Sequence, residues 1–437
     1  MSVTRRGFLR SLGRNTDELG LAAMLAARGH EALMAQDLSN AQGGTQGGGA
    51  GQAGGGRGGG AGQGGRQGGA GGRQGGRPAP PPGVEEIKIS SNENPLGPGK
   101  HVLDAIVGKF PETSRYPFNS TPNEGKLVEA FAAFNKVKPE NITVGAGSQE
   151  ILKSAMRAFT SPYRALVTAA PTFENCTGLA RRMNVPLYEV KVDSQLKLDL
   201  EGMLAVARGA GLIFLNNPNN PTATVHGLKV VTDFVERVRR ISPDTVILID
   251  EAYHDYVTDA DYATAIPLAM NTPNVFVART FSKAYGMAGV RVGYAVGQAD
   301  TIKPLARVKM PYNVSVFGIA AAIAAIGNPQ HIAQERARNT EVRNMTVKVF
   351  EELGCKSTAT NANFIFVDVG RTAAEFRNAC ANQWVNVGRD FPPFEHTFAR
   401  ISIGTMAEMK RATEVFREVM RPTAQPGGGG GNGRNGR

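Results

Sequence analysis

The sequence predicts an α/β fold whose larger domain is built on a mostly parallel sheet. From Val84 onward, short apolar runs end in polar residues and alternate with helical patterns; the runs include "RALVTAAP", "GLIFLNNP", "TVILIDEAY" and "NVFVART". Residues 228–240, between two of the runs, have the apolar spacing of an amphipathic helix. Strands that are apolar throughout are typical of parallel sheets covered on both faces by helices. Ligands of such sheets bind beyond the carboxyl ends of the strands, where this chain has its polar residues.

A smaller α+β lobe is predicted at the C-terminal end. Residues 324–421 begin with helical character and continue with the strand-like segments "NANFIFVDVG" and "FARISIG". We assign residues 84–118 to an N-terminal arm of this lobe and residues 119–323 to the large domain.

Glycine-rich segments flank the folded body. The chain has 437 residues and 54 glycines, which are concentrated in a spacer, residues 39–83, and in a tail, residues 422–437. Such segments have too few apolar side chains to offset the loss of chain entropy, so we predict that both are disordered.

The charge distribution does not favour a nucleic-acid partner. Of the formal net charge of +11, residues 1–83 contribute five, from nine arginines and four acidic residues, and the tail contributes two, so residues 84–421 have four. A body with so little excess charge is not typical of a nucleic-acid-binding protein. The three cysteines, Cys176, Cys355 and Cys380, lie far apart, which predicts neither a disulfide framework nor a metal site. No apolar run reaches the ~18 residues of a membrane span.

Residues 1–38 resemble a twin-arginine export signal. Arg5 and Arg6 occur in "TRRGFLR", and a weak apolar core follows at residues 19–27. Charged residues at 14, 17 and 18 interrupt the signal, and the alternative is a basic amphipathic helix without a targeting role. We expect export in the folded state to the periplasm or cell envelope, with a cytoplasmic location as the alternative.

Polar segments at the strand ends together indicate one cofactor. "GAGSQE" closes a strand and opens a helix, where backbone amides suit a phosphate. Asn220 lies in a proline-flanked turn, and Asp250 follows "VILI", where a carboxylate needs a cationic partner. In "RTFSKAYGMAGVRVGY", the amine of Lys283 lies between hydroxyl side chains and an arginine. Each feature alone is more often a solvated charge or a structural salt bridge. Together they suit pyridoxal phosphate, which requires a lysine, a carboxylate, donors for its phenolic oxygen and a phosphate site.

Ten segments between residues 85 and 409 resemble the fold-type I pyridoxal phosphate-dependent aminotransferases, and within them the histidinol-phosphate aminotransferase family. The segments are "SNENPLGP", "RYPF", "GAGSQE", "PTFENC", "NNPNNPT", "DEAY", "RTFSKAYGMAGVRVGY", "PYNVS", "ANFIFV" and "ARISIGT". The resemblance implies a homodimeric enzyme that moves an amino group between a histidinol phosphate-like or aromatic substrate and 2-oxoglutarate.

The resemblance also implies roles for residues around the cofactor ring. Lys283 would bond to the cofactor aldehyde and move the proton between the substrate Cα and the cofactor. Asp250 would keep the pyridine nitrogen protonated. Tyr253 and Asn220 would hydrogen-bond the ring oxygen, and Phe173, where the family often has tyrosine, would stack on the ring.

Further residues would bind the phosphate and the substrate. The residues implied for the phosphate are Ser148, Gln149, Thr280, Ser282 and Arg291, with Tyr116 reaching it from the partner subunit. Arg400 would bind the substrate α-carboxylate in a bidentate fork. Arg389 is a candidate for a second anionic group, and Asn94 is assigned to the substrate site.

Two departures from the family pattern leave alternatives open. Ala223 stands where the family usually has glycine, and an export-like N-terminus is foreign to a cytosolic enzyme of histidine biosynthesis. One alternative is a lyase or decarboxylase similar to threonine-phosphate decarboxylase, which would use the same cofactor residues. The other is a domain of this fold kept as a non-enzymatic binding or regulatory module.

Overall fold

The structure is a computed structural model that describes residues 80–117 and 123–421, without the side chains of residues 123 and 124. The export signal predicted at residues 1–38, nearly all of the spacer and the tail from residue 422 lie outside the described residues.

The described strands and helices alternate through the first part of the chain. The strands are β1 (Ile87–Ile89), β2 (Ile142–Gly145), β3 (Leu166–Ala170), β4 (Leu187–Lys191), β5 (Leu212–Asn216), β6 (Val246–Asp250), β7 (Val275–Thr280), β8 (Gly293–Gly297), β9 (Phe364–Asp368), β10 (Val385–Val387) and β11 (Phe398–Ser402). The helices are α1 (Lys100–Val107), α2 (Asn123–Asn135), α3 (Ser148–Phe159), α4 (Asn175–Arg182), α5 (Leu200–Ala205), α6 (Leu228–Ile241), α7 (Ile266–Asn271), α8 (Ala299–Val308), α9 (Val316–Ile326), α10 (Pro329–Glu352), α11 (Ala373–Asn382) and α12 (Met406–Val419).

A seven-stranded sheet forms the centre of the large domain, in the order β2-β8-β7-β6-β5-β3-β4. The neighbours from β4 to β7 pair in parallel, whereas β8 is antiparallel to both β7 and β2. The prediction of a mostly parallel sheet is therefore confirmed. All strands of this sheet except β8 run the same way, so their carboxyl ends meet at one edge, and the N-terminal end of β8 lies at that same edge.

Apolar clusters lie on both faces of this sheet, since alternate residues of β5 and β6 belong to two different clusters that also contain helix residues. In α6, which the sequence predicts over residues 228–240, Val231, Phe234, Val235 and Val238 are buried, with the spacing of a single helix face. The strands β5 and β6 are buried at every position, as their continuous apolar sequences require. This packing makes the carboxyl edge a rigid base for side chains that follow the strands.

The small lobe has its own core, which includes β1 of the N-terminal arm, whereas Val102 of α1 belongs to the core of the large domain. β9 and β11 pair antiparallel, and β1 pairs in parallel with β10, from Ile87 opposite Val385 to Ile89 opposite Val387. Phe350, Phe376 and Phe416 of α10, α11 and α12 are fully buried in one cluster with β1, β9, β10 and β11.

The apolar helix α9 packs against the large domain. Its buried residues Ile319, Ala321, Ala322 and Ala325 belong to the cluster that contains β6 and β7, and the boundary that we placed at residue 323 falls inside this helix. Among the described residues, no single helix has the length and apolarity to cross a membrane; α9 and α10 meet such a test only together, with a bend of 80° between them.

Candidate active site

The carboxyl edge of the sheet brings the predicted cofactor residues together. Asp250 is the last residue of β6 and pairs in register with Asn216 of β5 and Ala278 of β7. Thr280 ends β7, and Ser148 begins α3 directly after the turn that follows β2. Each of these residues lies at the end of a strand or just after it, because each strand stops where its apolar run stops.

Asp250 is a buried carboxylate that forms no ion pair with any cationic side chain in the described part of the chain. Its side chain is 2% exposed, and no described residue hydrogen-bonds its Oδ1. Burial raises the pKa of Asp250 to about 7, although a backbone hydrogen bond from Ala252 opposes the rise. A buried oxygen of this kind is suited to bind a protonated ring nitrogen, because that contact would supply the missing positive partner.

Lys283 lies in the same pocket, with its amine held on backbone oxygens. Its Nζ donates to the carbonyl oxygen of Asn92 at 3.0 Å and lies 5.5 Å from the ring centroid of Tyr253. Burial, with the nearby positive charge of Arg400, lowers the pKa of Lys283 to about 8. A substantial fraction of the amine is therefore neutral and nucleophilic near pH 8.

Asn92 is a site residue that the sequence analysis did not assign. It is 1% exposed, its Nδ2 donates to the Tyr253 hydroxyl at 3.2 Å, and its Oδ1 accepts from the Ser402 hydroxyl at 2.7 Å. Asn92 thus connects Tyr253, which is predicted to bind the cofactor ring, to the strand that contains Arg400. The available signal was its place in "SNENPLGP", but nothing local in that segment distinguishes one asparagine from the other.

Asn94, which we assigned to the substrate site, has both ends of its amide bound to the main chain. Its Nδ2 donates to the carbonyl oxygen of Ala284 at 3.0 Å, and its Oδ1 accepts from the Leu96 amide at 3.0 Å. The structure therefore shows Asn94 fixing the arm next to Lys283, and Asn92 is the arm residue whose side chain contacts Tyr253.

The residues predicted to bind phosphate form a cradle around Arg291. The Arg291 Nη1 donates to the Ser282 hydroxyl at 3.3 Å, and its Nη2 lies 3.5 Å from the Gln149 Oε1. The Thr280 hydroxyl donates to the Ser282 hydroxyl at 3.0 Å. Ser148 is buried at the first position of α3, where unpaired amides favour an anion.

Glycines make room for this cradle. A Cβ built on Gly147 would collide with the Arg291 guanidinium, and one built on Gly293 would collide with the Ser148 amide. Gly147 also has a φ of 78°, a conformation that other residues rarely adopt. The cradle suits a dianionic phosphate, Lys283 suits an aldehyde, and Asp250 suits a protonated ring nitrogen. The residues present therefore fit pyridoxal phosphate.

Arg400 and Asn220 form the substrate side of the pocket. The Arg400 Nη1 donates to the Asn220 Oδ1 at 2.8 Å, and its Nη2 donates to the Ser90 carbonyl oxygen at 2.7 Å. Because the Asn220 amide oxygen is used in this way, its Nδ2 is the end left to donate to a ring oxygen. Burial lowers the pKa of Arg400 to about 10, which still leaves the guanidinium charged at neutral pH.

Phe173 and Ala223 lie near these groups on the large domain. Phe173 follows β3 at the carboxyl edge and is partly buried against a cluster that includes Cys176. Ala223 has a φ of 59°, the left-handed region that favours glycine, and its methyl group is enclosed with Tyr253 and Phe364. The departure at Ala223 therefore combines an unfavourable backbone conformation with added apolar packing.

Arg389 lies at the mouth of the pocket. Its guanidinium is stacked over the Phe391 ring, 4.3 Å from the centroid, and its Nη2 lies 2.5 Å from the Glu174 Oε2. Arg400 lies 4.6 Å from the centroid of the same ring. Two guanidiniums thus share one aromatic ring, and an acidic residue that the sequence analysis did not assign balances one of them.

Tyr116 does not lie with the other predicted residues of its own chain. Its ring is 64% exposed and is 5.1 Å from the ring of Tyr312, at an angle of 31°. Its predicted contact with a cofactor phosphate requires another copy of the chain and stays a prediction.

Comparison with known proteins agrees with the fold and the pocket. The family model for aminotransferase class I and II matches residues 84–416. The chain is 36% identical over 342 residues to the histidinol-phosphate aminotransferase of Moorella thermoacetica, across 77% of this chain and 86% of that protein. It is 34% identical to histidinol-phosphate aminotransferase 2 of Bacillus cereus, across 76% and 87%. The structure of the histidinol-phosphate aminotransferase from Sinorhizobium meliloti with pyridoxal-5'-phosphate superimposes with a TM-score of 0.70 at 28% identity, across 77% and 91%.

Proposed function

We propose that this chain, which belongs to the class I and II aminotransferase family and is a pyridoxal phosphate-dependent aminotransferase, transfers to 2-oxoglutarate the amino group of an amino acid with two anionic groups or of an amino phosphate. The observation that carries this proposal is the pair of guanidiniums, Arg400 and Arg389, that face the same side of the pocket across the Phe391 ring. The candidate donors are glutamate and histidinol phosphate, which is named in the similar proteins. Aromatic amino acids, the other donors that the resemblance implies, have no second anion for Arg389.

The pocket residues divide the chemistry among them. Bound pyridoxal phosphate supplies an electron sink for the electron pair that remains when the substrate Cα loses its proton. The amine of Lys283 is the base that takes this proton and returns it, because its lowered pKa leaves part of it neutral near pH 8. Asp250 would hold the proton on the ring nitrogen, and Tyr253 with Asn220 would bind the ring oxygen.

Substrate orientation comes from the small lobe. Arg400 offers two parallel N–H donors to an α-carboxylate, which would replace the contacts that the guanidinium now makes to Asn220 and Ser90. Arg389, at the mouth, binds the second anion. The phosphate cradle of Arg291, Ser282 and Ser148 would hold the cofactor in one place, so that only the substrate would remain to be oriented.

A half-reaction screen tests this proposal. The holoenzyme is mixed with glutamate, histidinol phosphate, phenylalanine or alanine, and absorbance follows conversion of the cofactor from its aldehyde to its amine form. We expect the two dianionic donors to react best and 2-oxoglutarate to reverse the conversion. Release of carbon dioxide would instead indicate the decarboxylase alternative, and release of ammonia when no oxo-acid acceptor has been added would indicate the lyase alternative.

Substitution of Arg389 makes the test residue-specific. Arg389→Ala should lower kcat/KM for glutamate and histidinol phosphate by about 3- to 10-fold, because water screens a guanidinium that is 55% exposed, and leave alanine within about two-fold. Arg417→Ala is the matched control, because Arg417 forms an exposed ion pair of the same length, 2.5 Å, with Glu352. Equal losses for all donors would show that Arg389 does not recognise the second anion.

We further propose that the enzyme is a homodimer. The arm exposes Leu103, Val107, Phe110 and Tyr116, and Met310 and Tyr312 lie exposed beside an apolar hollow of about 590 Å³. Clustered apolar side chains of this kind mark an interaction surface more often than scattered ones do. A second copy that covers this surface would bring Tyr116 towards the partner's phosphate cradle, as the resemblance implies.

We also propose that the protein is exported folded by the twin-arginine route. The support is Arg5 and Arg6 in "TRRGFLR" and the long glycine-rich spacer before the body at Val84. Folded export suits an enzyme whose cofactor binds in a buried pocket, because the cofactor can be loaded before the chain leaves the cytoplasm.

A further inference from the structure

Glu174 and Arg389 form an ion pair between the two lobes at the mouth of the site. Glu174 follows Phe173 at the carboxyl edge of the sheet, immediately before α4, and Arg389 lies between β10 and β11 of the small lobe. Their nearest atoms, Oε2 and Nη2, are 2.5 Å apart, and 55% of each side chain is exposed. The pair joins positions 215 residues apart, so it exists only when the lobes are together.

The surroundings make Glu174 the balancing charge of a cationic cluster. The guanidinium carbons of Arg389 and Arg400 lie 4.3 Å and 4.6 Å from the centroid of the Phe391 ring, which places them at most about 9 Å from each other. Two cations at this separation repel each other and suit a substrate with two anionic groups. The Glu174 carboxylate is bound to the Arg389 guanidinium, the group that we propose for the second anion.

We propose that Glu174 is a specificity-determining residue that occupies the second-anion site until a dianionic substrate displaces it; this inference rests on the proposed function of Arg389. A substrate with one carboxylate leaves the ion pair closed and meets a locally neutral surface. A substrate with two anions has to break the pair before it can bind Arg389. Glu174 therefore reduces the preference for dianionic substrates that Arg389 alone would produce.

The exposure of the pair sets the size of the effect. Ion pairs between exposed side chains contribute little free energy, because water screens the charges and because two long side chains lose conformational freedom when they pair. Removal of the Glu174 charge should therefore tighten dianion binding by about two- to five-fold and not by orders of magnitude. Glu174 also contacts its own helix through the main chain, since its carbonyl oxygen accepts from the Thr177 hydroxyl at 3.1 Å, and substitution of the side chain keeps this contact.

Binding of unreactive acids tests the inference without turnover. Calorimetry on the holoenzyme compares glutarate, which has two carboxylates, with 4-methylpentanoate, which has one, for wild type, Glu174→Gln and Glu174→Ala. We expect both variants to bind glutarate about two- to five-fold more tightly and 4-methylpentanoate with unchanged affinity. Glu352→Gln removes the same charge from an ion pair of the same length, 2.5 Å, between α10 and α12, and should change neither affinity.

Unchanged glutarate affinity in both variants, or an equal change for both acids, would overturn the inference. Turnover gives a second readout: in Glu174→Gln, KM for glutamate should fall with kcat unchanged, because the effect is on binding. If the holoenzyme transaminates no donor and the variants still bind glutarate selectively, the proposed function fails and the role of Glu174 stands. If wild type transaminates glutamate and the variants behave like wild type, only the role of Glu174 fails.

Discussion

Substitution of Asp250 by asparagine should stabilise the cofactor-free protein at alkaline pH while it disables the enzyme. Burial raises the pKa of Asp250 from 3.8 to about 7, so the folded state binds this proton more tightly than the unfolded state does. The resulting penalty is absent below pH 3.8, grows as the pH rises, and is complete above about pH 7. With about 1.4 kcal/mol for each pH unit between the two pKa values, the penalty at pH 8 is at most about 4 kcal/mol.

Asparagine removes this penalty but introduces one of its own. It keeps an oxygen for the backbone hydrogen bond from Ala252, and it places an unpaired amide donor where Oδ1 now lies, at a cost of about 1–3 kcal/mol. We therefore expect Asp250→Asn to raise the free energy of unfolding by about 1–3 kcal/mol at pH 8. The advantage should vanish between about pH 4.5 and 6, where the two penalties become equal.

Urea unfolding of the cofactor-free protein at pH 5 to 8, at equal protein concentrations, measures this difference. Asp244→Asn is the control, because it removes the same charge from an exposed position and should change stability by less than about 0.5 kcal/mol. With the cofactor bound the order should reverse, and kcat of Asp250→Asn should fall by about 100-fold or more because the ring nitrogen loses its carboxylate. A stability difference that does not depend on pH, or a wild type that is more stable at pH 8, would refute the reasoning.

Three further predictions concern the catalytic amine, assembly and location. Covalent capture of pyridoxal phosphate by the cofactor-free protein should accelerate with pH around a midpoint near pH 8, because only the neutral Lys283 amine attacks; Lys283→Ala should hold no borohydride-trappable cofactor, and a midpoint above pH 10 would contradict the lowered pKa. Mixing inactive Lys283→Ala with a weakened Tyr116→Phe variant should restore up to about a quarter of wild-type activity through hybrid dimers, whereas a fully active monomer by light scattering would exclude a role in trans. Arg5→Lys with Arg6→Lys should retain in the cytoplasm a protein that otherwise fractionates with the periplasm, and an unchanged distribution would show that the twin arginines are incidental.

The sequence was sufficient for features that depend on neighbouring residues. The strand end at Asp250, the hydroxyl pair before Lys283 and the helix start at Ser148 each follow a short apolar run, and the structure has all three at one edge of the sheet. Two strands, β4 and β8, had weak signals in the sequence. β4 has no buried residue and three of its five residues are exposed, and β8 has glycine at both ends. A glycine-bounded segment is typical of a turn as much as of a strand.

Contacts between segments far apart in the chain could not be predicted, because they depend on how those segments pack. Asn92 bonds to Ser402 across 310 residues, and Glu174 meets Arg389 across 215. Neither pair has a local spacing rule, unlike a helix or a strand, in which neighbours at a fixed offset are in contact. A family resemblance assigned Arg389 without its partner for the same reason, since a motif describes one segment at a time.

Backbone strain at the phosphate cradle links two positions that seem independent in the sequence. Arg291 has a φ of 63°, an unfavourable conformation for a residue with a Cβ, and Gly147 has a φ of 78°. The strained backbone of Arg291 directs its guanidinium over the turn between β2 and α3, where its Nη2 bonds to the carbonyl oxygen of Ala146 at 3.3 Å. That approach is open only because Gly147 has no side chain. Strain of this kind persists where function requires the geometry. Gly147 and Arg291 therefore have to be explained together, because together they place a guanidinium beside the helix amides that are predicted to bind the phosphate.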